Sequence, residues 1–322
     1  MTEAPGWDAL DRALGAGGEA LRFDVESAEG APCLASVVAR RQGGHWLFAT
    51  YGLTELFEKS SPDADLSGHG YELVLRLETR GDDPPPAWPA ELLRAVAGYV
   101  EASGAQLDDG HYIDVGEPLG RGLETRLTAL LVVSDPELAA FDGPFGRVRF
   151  LALVGVTADE LELLLDWSVA GLASELARDN PLLLTKPERA SLLETERASE
   201  VRAAVAREGS SLERLSAELW VQVDGAGASA SLALEPSAVE PLRRLLQSRL
   251  AHARAVVIDG VDGALELVPG DEPKWEATDE GVRVTLPADV ALAWRDELSE
   301  QPGNVPRALV QGLWVRIVPT GS

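Results

Sequence analysis

The residues of this chain whose types could do chemistry are few. There are four histidines, one cysteine, a short glycine run and two clusters mixing acid, serine and glycine. His45, His69, His111 and His252 are scattered, with no i, i+4 pair to put two metal ligands on one helix face. Cys33 is alone, so it forms no intramolecular disulfide and builds no thiolate zinc site. Its neighbours Ala31, Leu34 and Ala35 read as the setting of a buried, inert thiol. Gly15-Ala16-Gly17-Gly18 is followed by Glu19, whose charge repels phosphate, so the run reads as a turn rather than a nucleotide loop. Asp63-x-Asp65-x-Ser67-Gly68 opens like a calcium loop, but its twelfth position is Val74 where a bidentate Glu is needed. These residues are ordinary turn formers. Ser67 lies close to His69, yet Leu66-Ser67-Gly68-His69-Gly70 lacks the first glycine of a nucleophile elbow and leads into a strand. No cofactor, metal or catalytic motif is recognisable, and the chain reads as a binding protein rather than an enzyme. An unrecognised acid pair or a Ser67/His69 site is the catalytic alternative, since carboxylate pairs cannot be picked out among 53 acids.

The elements that would hold these residues mix both periodicities. Tyr71, Leu73, Leu75 and Leu77 alternate with Glu72, Arg76 and Glu78, the pattern of a half-buried strand. Asp82-Asp83-Pro84-Pro85-Pro86 breaks the chain, and Trp88-Pro89 opens a helix with Leu92, Leu93, Val96, Ala97 and Val100 on one face. Leu127–Val133 and Arg147–Val156 read as strands, the second apolar on both faces and therefore central. Thr157 is placed to cap a helix, with Glu160 in the capping-box position and Leu161 and Leu165 facing inward. Further on, Leu219–Asp224 and Ser229–Glu235 read as a hairpin, and Pro236–Leu250 as an amphipathic helix. Short strands follow at Ala255–Ile258, Ala264–Val268, Val282–Leu286 and Leu313–Val318, with a helix at Pro287–Leu298. The fold class is α/β in the broad (α+β) sense: two domains, each with a mixed or antiparallel sheet packed by helices.

A length of 322 residues fits two domains at roughly 150 residues each. The boundary is placed in the Ala-, Glu- and Arg-rich stretch 191–211, a short exposed helix or a linker. This gives domains 1–195 and 213–322 joined by a linker over 196–212. The net charge is −25, and residues 1–180 hold 31 acids against 13 bases, net −18. Nucleic acid and anionic membranes are disfavoured as partners, because counterion release needs Lys and Arg facing phosphates. No stretch reaches the ~18 apolar residues of a membrane span, and the acidic N-terminus is unlike a signal peptide. The expectation is a soluble, cytoplasmic protein.

From His45-Trp46 and Thr50-Tyr51-Gly52-Leu53-Thr54-Glu55-Leu56 onward the chain resembles the suppressor of fused family. Ser67-Gly68-His69-Gly70-Tyr71-Glu72-Leu73 resembles that family's Ser-Gly-x-Gly-aromatic-Glu-Leu strand, and Trp88-Pro89 its helix entry. Gly110-His111, Asp135-Pro136, Gly143-Pro144-Phe145-Gly146, Val154-Gly155-Val156-Thr157 and the stretch 181–194 continue the match in order across about residues 41–195. The C-terminal half is similar more loosely, through 241–250 and Gly312-Leu313-Trp314-Val315. The resemblance implies a non-enzymatic, cofactor-free binding protein that captures a partner protein in an interdomain cleft by β-augmentation. In animal members the partner is a segment of a transcription factor, and bacterial members are proposed to be immunity proteins that neutralise toxins. A basic toxin would suit the acidity of this chain, and a regulatory scaffold holding a transcription regulator is the alternative. The resemblance also gives Tyr99, Asp108, Asp109 and His111 as partner-binding candidates. The loop before His111 is one residue shorter here than in the family, so Asp108 and Asp109 are both stand-ins for its acidic residue.

Overall fold

The structure, a computed structural model, describes residues 4–15, 19–24, 34–79, 81, 83–225, 227–305 and 310–321. Cys33 and the Ala16-Gly17-Gly18 part of the glycine run lie outside these residues. The chain divides into two compact units, Met1–Glu162 with Val169–Ala198, and Leu163–Ser168 with Ser199–Ser322. Both are mixed α/β structures.

The first unit carries helix α1 (Pro5–Ala13), strands β1 (Ala20–Asp24), β2 (Ser36–Gln42), β3 (His45–Tyr51) and β4 (Leu66–Glu78), and helix α2 (Trp88–Ser103). Strands β5 (Tyr112–Asp114), β6 (Leu127–Ser134), β7 (Phe141–Gly143) and β8 (Gly146–Thr157) follow, then α3 (Ala158–Leu165) and α4 (Val169–Ala177). The strands form one eight-stranded sheet in the order β1-β2-β3-β4-β8-β6-β5, with β7 paired to β8. Among the pairings of these described strands, β4–β8 is parallel and the rest are antiparallel. Helix α2 packs over β2, β3 and β4. Its buried face is the stripe read from the sequence, Leu92, Leu93, Val96, Ala97 and Val100, together with Pro89 and Ala90 of the first turn. Each large apolar side chain buried there is worth about 1.5–3 kcal/mol. Pro89 sits in the first turn, where a missing N–H costs nothing, and Gly104 ends the helix at φ +68°.

Two local expectations need correction. Strand β4 is not half-buried: Glu72 and Arg76, read as solvent-facing, are 0% and 2% exposed. The alternation is real, but the second face is covered as well, and its polar side chains are buried in bonded networks. At the start of α3, Thr157 N–H donates to Glu160 Oε2 at 3.0 Å as a capping box requires, while the Thr157 hydroxyl donates to Asp159 at 2.6 Å. Leu164 rather than Leu165 joins Leu161 in the buried set.

From Ser199 onward the second unit contains α5 (Ala198–Glu208), so much of the stretch read as a linker is helical. Only Val201 of that helix is buried, which explains why its sequence carries so weak an apolar stripe. Next come β9 (Arg214–Ser216), β10 (Leu219–Val223), β11 (Ala230–Leu234), α6 (Pro236–Ser248), β12 (Val256–Asp259), β13 (Ala264–Pro269) and β14 (Lys274–Ala277). Strand β15 (Gly281–Leu286), α7 (Ala288–Glu297), β16 (Gly303–Asn304) and β17 (Leu313–Ile317) complete it. Two mixed sheets form, β10-β11-β17-β16 and β14-β15-β13-β12-β9. They share one apolar core with α6 and α7, centred on Leu242, Leu246, Leu265, Val284 and the fully buried Trp294. The β10–β11 hairpin turns through a loop longer than two residues, which Asp224 organises by accepting from Ala228 N–H and the Ser229 hydroxyl.

Candidate functional site

Two buried or half-buried carboxylates shape the connection from β3 to β4. Glu72 accepts from the hydroxyls of Thr50 and Thr54, both at 2.6 Å, and from the backbone N–H groups of Gly52 at 3.0 Å and Thr54 at 2.9 Å. Burial pushes the Glu72 carboxyl up, against the pull of these four donors. Glu55 accepts from the N–H groups of Ser60, Ser61 and Gly68 and pairs with Lys59 at 3.1 Å. Burial acts to raise the Glu55 carboxyl too, but the Ser61 and Ser60 N–H groups and Lys59 prevail and hold it at about 2. Gly68 has φ +56°, and a Cβ there would lie 2.4 Å from Leu53 O. That close approach requires glycine. The Thr50–Glu55 and Ser67–Glu72 runs are therefore two halves of one backbone-holding device. Ser67 takes part through its Oγ, which accepts from Glu55 N–H at 3.0 Å.

This device sets His69 at the surface beside the end of α2. His69 Nε2 lies 2.8 Å from Glu101 Oε1, and its Nδ1 lies 3.4 Å from Gln106 Nε2. The cavity beside His69 and Gln106 measures about 530 Å³, and the exposed ring of Phe57 lines it. On the next inward position of β4, the Tyr71 hydroxyl accepts from Leu107 N–H at 3.4 Å, and Arg149 of β8 lies over the Tyr71 ring. Arg149 pairs with Asp108 and also donates to Leu107 O. Burial acts to raise the Asp108 carboxyl, but the Arg149 hydrogen bond and the Asp109 N–H outweigh it and hold it below the usual carboxylate range. His111 Nδ1 accepts from Asp108 N–H at 3.1 Å, so this ring nitrogen carries no proton. Asp109 accepts from the N–H and hydroxyl of Ser134, both at 3.3 Å. These bonds fold the 107–111 loop against the ends of β6 and β8, and the loop runs directly into β5.

Strand β5 is terminal in the sheet. Its inner side pairs with β6 through Tyr112, Ile113 and Asp114. Val115 N–H donates to Thr128 O, so by alternation Ile113 turns its N–H to β6 and Asp114 turns its own outward. An edge of this kind presents donors and acceptors to an extended chain.

The structure brings three of the four sequence candidates together: Asp108, Asp109 and His111 share the loop before β5. Tyr99 is separate. It lies on α2, 54% exposed, and its carbonyl accepts from Ser103 Oγ at 2.6 Å. Among the described residues no bond joins Tyr99 to the loop. Sequence reasoning missed Arg149, Glu101 and Gln106, each distant in sequence from the partner it meets. Arg147 and Arg149 alternate with the buried Val148 and Phe150 at the start of β8, a signal that Arg149 faces away from the core, but nothing in it names Asp108. Ser67 and His69, the catalytic alternative, point to different partners, and no bond joins them. Asp63 accepts from Asp65 N–H and Leu66 N–H, as a turn former does. Among the described residues no group of three or more His, Cys, Asp or Glu is placed to hold a metal ion.

Residues 30–190, half of the chain, match the family described as Suppressor of fused protein (SUFU). The chain belongs to the suppressor of fused family. It is 35% identical over 145 residues to the Suppressor of fused homologs of Homo sapiens and Mus musculus, a stretch covering 43% of this chain and 29% of each relative. The chain thus matches less than a third of the length of those relatives. Its fold is similar to the crystal structure of Drosophila Suppressor of Fused, with a TM-score of 0.79 and 20% identity over 98% of this chain and 97% of that one. A chain of a Sufu–Fu complex crystal structure is similar at 27% identity and TM-score 0.58, over 63% of this chain and 98% of that one. The family match takes in β4, α2, the 107–111 loop, β5 and β8. Every residue of the polar cluster therefore lies in the suppressor of fused portion.

Proposed function

We propose that this chain is a protein-binding module that captures an extended segment of a partner protein, without catalysis. The observation that carries the reading is the terminal strand β5, entered from the loop bearing Asp108, Asp109 and His111. Backbone bonds from the outer edge of β5 would give affinity, and the acidic loop beside it would favour a basic segment. Membership of a family with a member crystallised in a Sufu–Fu complex supports a protein as the partner. Tyr99 would add an aromatic anchor if the partner extends across α2. The finer reading is an immunity protein, acting in the cytoplasm on a basic toxin, and it rests on the net charge of −25. The Sufu–Fu complex favours a second reading, a scaffold that holds a regulatory protein.

Co-expression separates the two readings. A toxin encoded beside this chain should stop growth alone and spare it when this chain is present. If growth stays arrested, that pairing is wrong, and a regulator recovered with the chain takes its place. The edge itself is tested with the recovered partner by amide hydrogen exchange. Protection of the 110–116 backbone is expected. Protection confined to other segments would sink the β5 assignment.

A further inference from the structure

The chain buries two arginines among its described residues and treats them differently. Arg76 meets Asp135 through two bonds, at 3.0 and 2.8 Å, and pairs with Glu137 at 2.9 Å. Arg249, 6% exposed, forms no ion pair with a carboxylate among the described residues. Its Nε and Nη2 donate to Ala255 O and its Nη1 donates to Ser210 O at 3.0 Å. These are neutral acceptors, and they occupy three of its five N–H donors. Burying a cation without a counter-charge is costly, and proteins with excess acid have ample means to supply one. Here the charge is instead reinforced. Arg254 also donates to Ser210 O at 3.0 Å, and among the described residues it too forms no ion pair with a carboxylate. Burial pulls the Arg249 pKa down; Glu213 opposes this and Arg254 adds to it. Arg214, paired with Asp259 at 3.0 Å, stands at the same opening.

These side chains line a cavity of about 980 Å³ in the second unit, together with Ser211 and Glu213. We infer that this cavity binds a small, soluble, phosphate-bearing molecule, its phosphate seated on the guanidiniums of Arg249 and Arg254. Guanidinium forks match phosphate oxygens in pairs, which makes Arg the residue of choice for such an anion. The volume lies at the upper end of the range for small-molecule sites. The overall charge of −25 disfavours the two macroscopic sources of phosphate, nucleic acid and an anionic membrane, while a small dianion meets only the local field. The site is independent of the β5 edge: it lies in the other unit and shares no residue with it.

Inorganic pyrophosphate titrated into the full chain by calorimetry tests this. Saturable binding is expected, weakened about tenfold or more in Arg254→Gln, an exposed position whose side chain bonds the protein through the Gly209 and Ser210 carbonyls. Arg316→Gln, an exposed arginine on β17, should leave the affinity unchanged. Arg249→Gln should abolish binding, with circular dichroism reporting whether the fold is kept. Four results would overturn the proposal: no saturable binding up to about 10 mM pyrophosphate, equal binding of sulfate, equal affinity in Arg254→Gln, or binding seen only to vesicles of anionic phospholipid.

Discussion

At the scale of single residues, the polar side chains of β4 show what a sequence conveys and what it conceals. The alternation of Tyr71, Leu73, Leu75 and Leu77 with polar residues marked a strand, and β4 spans Leu66–Glu78. It could not tell that Glu72 and Arg76 are buried, because their partners Thr50, Thr54, Asp135 and His45 come from elsewhere in the chain. His45 accepts from Arg76 through Nε2 at 2.8 Å, and burial followed by the Arg76 charge lowers its pKa, so the ring stays neutral. Replacing one member of such a network leaves the others unpaired. Arg76→Met should cost about 3–5 kcal/mol, since it strands the buried Asp135 carboxylate. Glu72→Gln should cost about 1–3 kcal/mol through mismatched donors. Urea unfolding of both variants measures these losses. Glu55 makes a prediction with a sign. Its folded pKa of about 2 lies below the ordinary 4.5, so its contribution is full above pH 4.5 and is lost as pH falls toward 2. Stability followed over that window should fall less steeply in Glu55→Gln than in the parent. Equal slopes would show that Glu55 does not carry the effect.

At the scale of elements, long apolar patterns were legible and short edges were not. Helix α2, strands β6 and β8, and helix α6 lie close to where their periodicities place them. Strands β5 and β14 are three and four residues long and half-exposed, too short to show a period. The candidate site depends on one of them. That is why the loop residues Asp108, Asp109 and His111 could be named from family resemblance while the strand they lead into could not. Because the Asp114 N–H turns outward, Asp114→Pro should leave the β5–β6 pairing intact and remove one donor from the open edge. Partner affinity should drop by about 0.5–1.5 kcal/mol, roughly two- to tenfold, with little change in urea midpoint. Unaltered affinity would show that the partner does not use this edge.

At the scale of the whole molecule, charge and family membership do different work. The matched portion assigns the chain to the suppressor of fused family, while the charge of −25 bears on the kind of partner it attracts. A basic partner should associate faster at low ionic strength, with the on-rate falling several-fold between about 0.01 and 0.15 M salt as the Debye length contracts from ~30 to ~8 Å. A rate insensitive to salt would argue for a neutral partner. The central claim, capture of a protein segment at the β5 edge, is tested most directly by photo-crosslinking in the native host. A photoreactive residue at Asp114 should join one protein, and the same residue at Glu91, exposed on α2, should not. No adduct from position 114, or the same adducts from both positions, would contradict it.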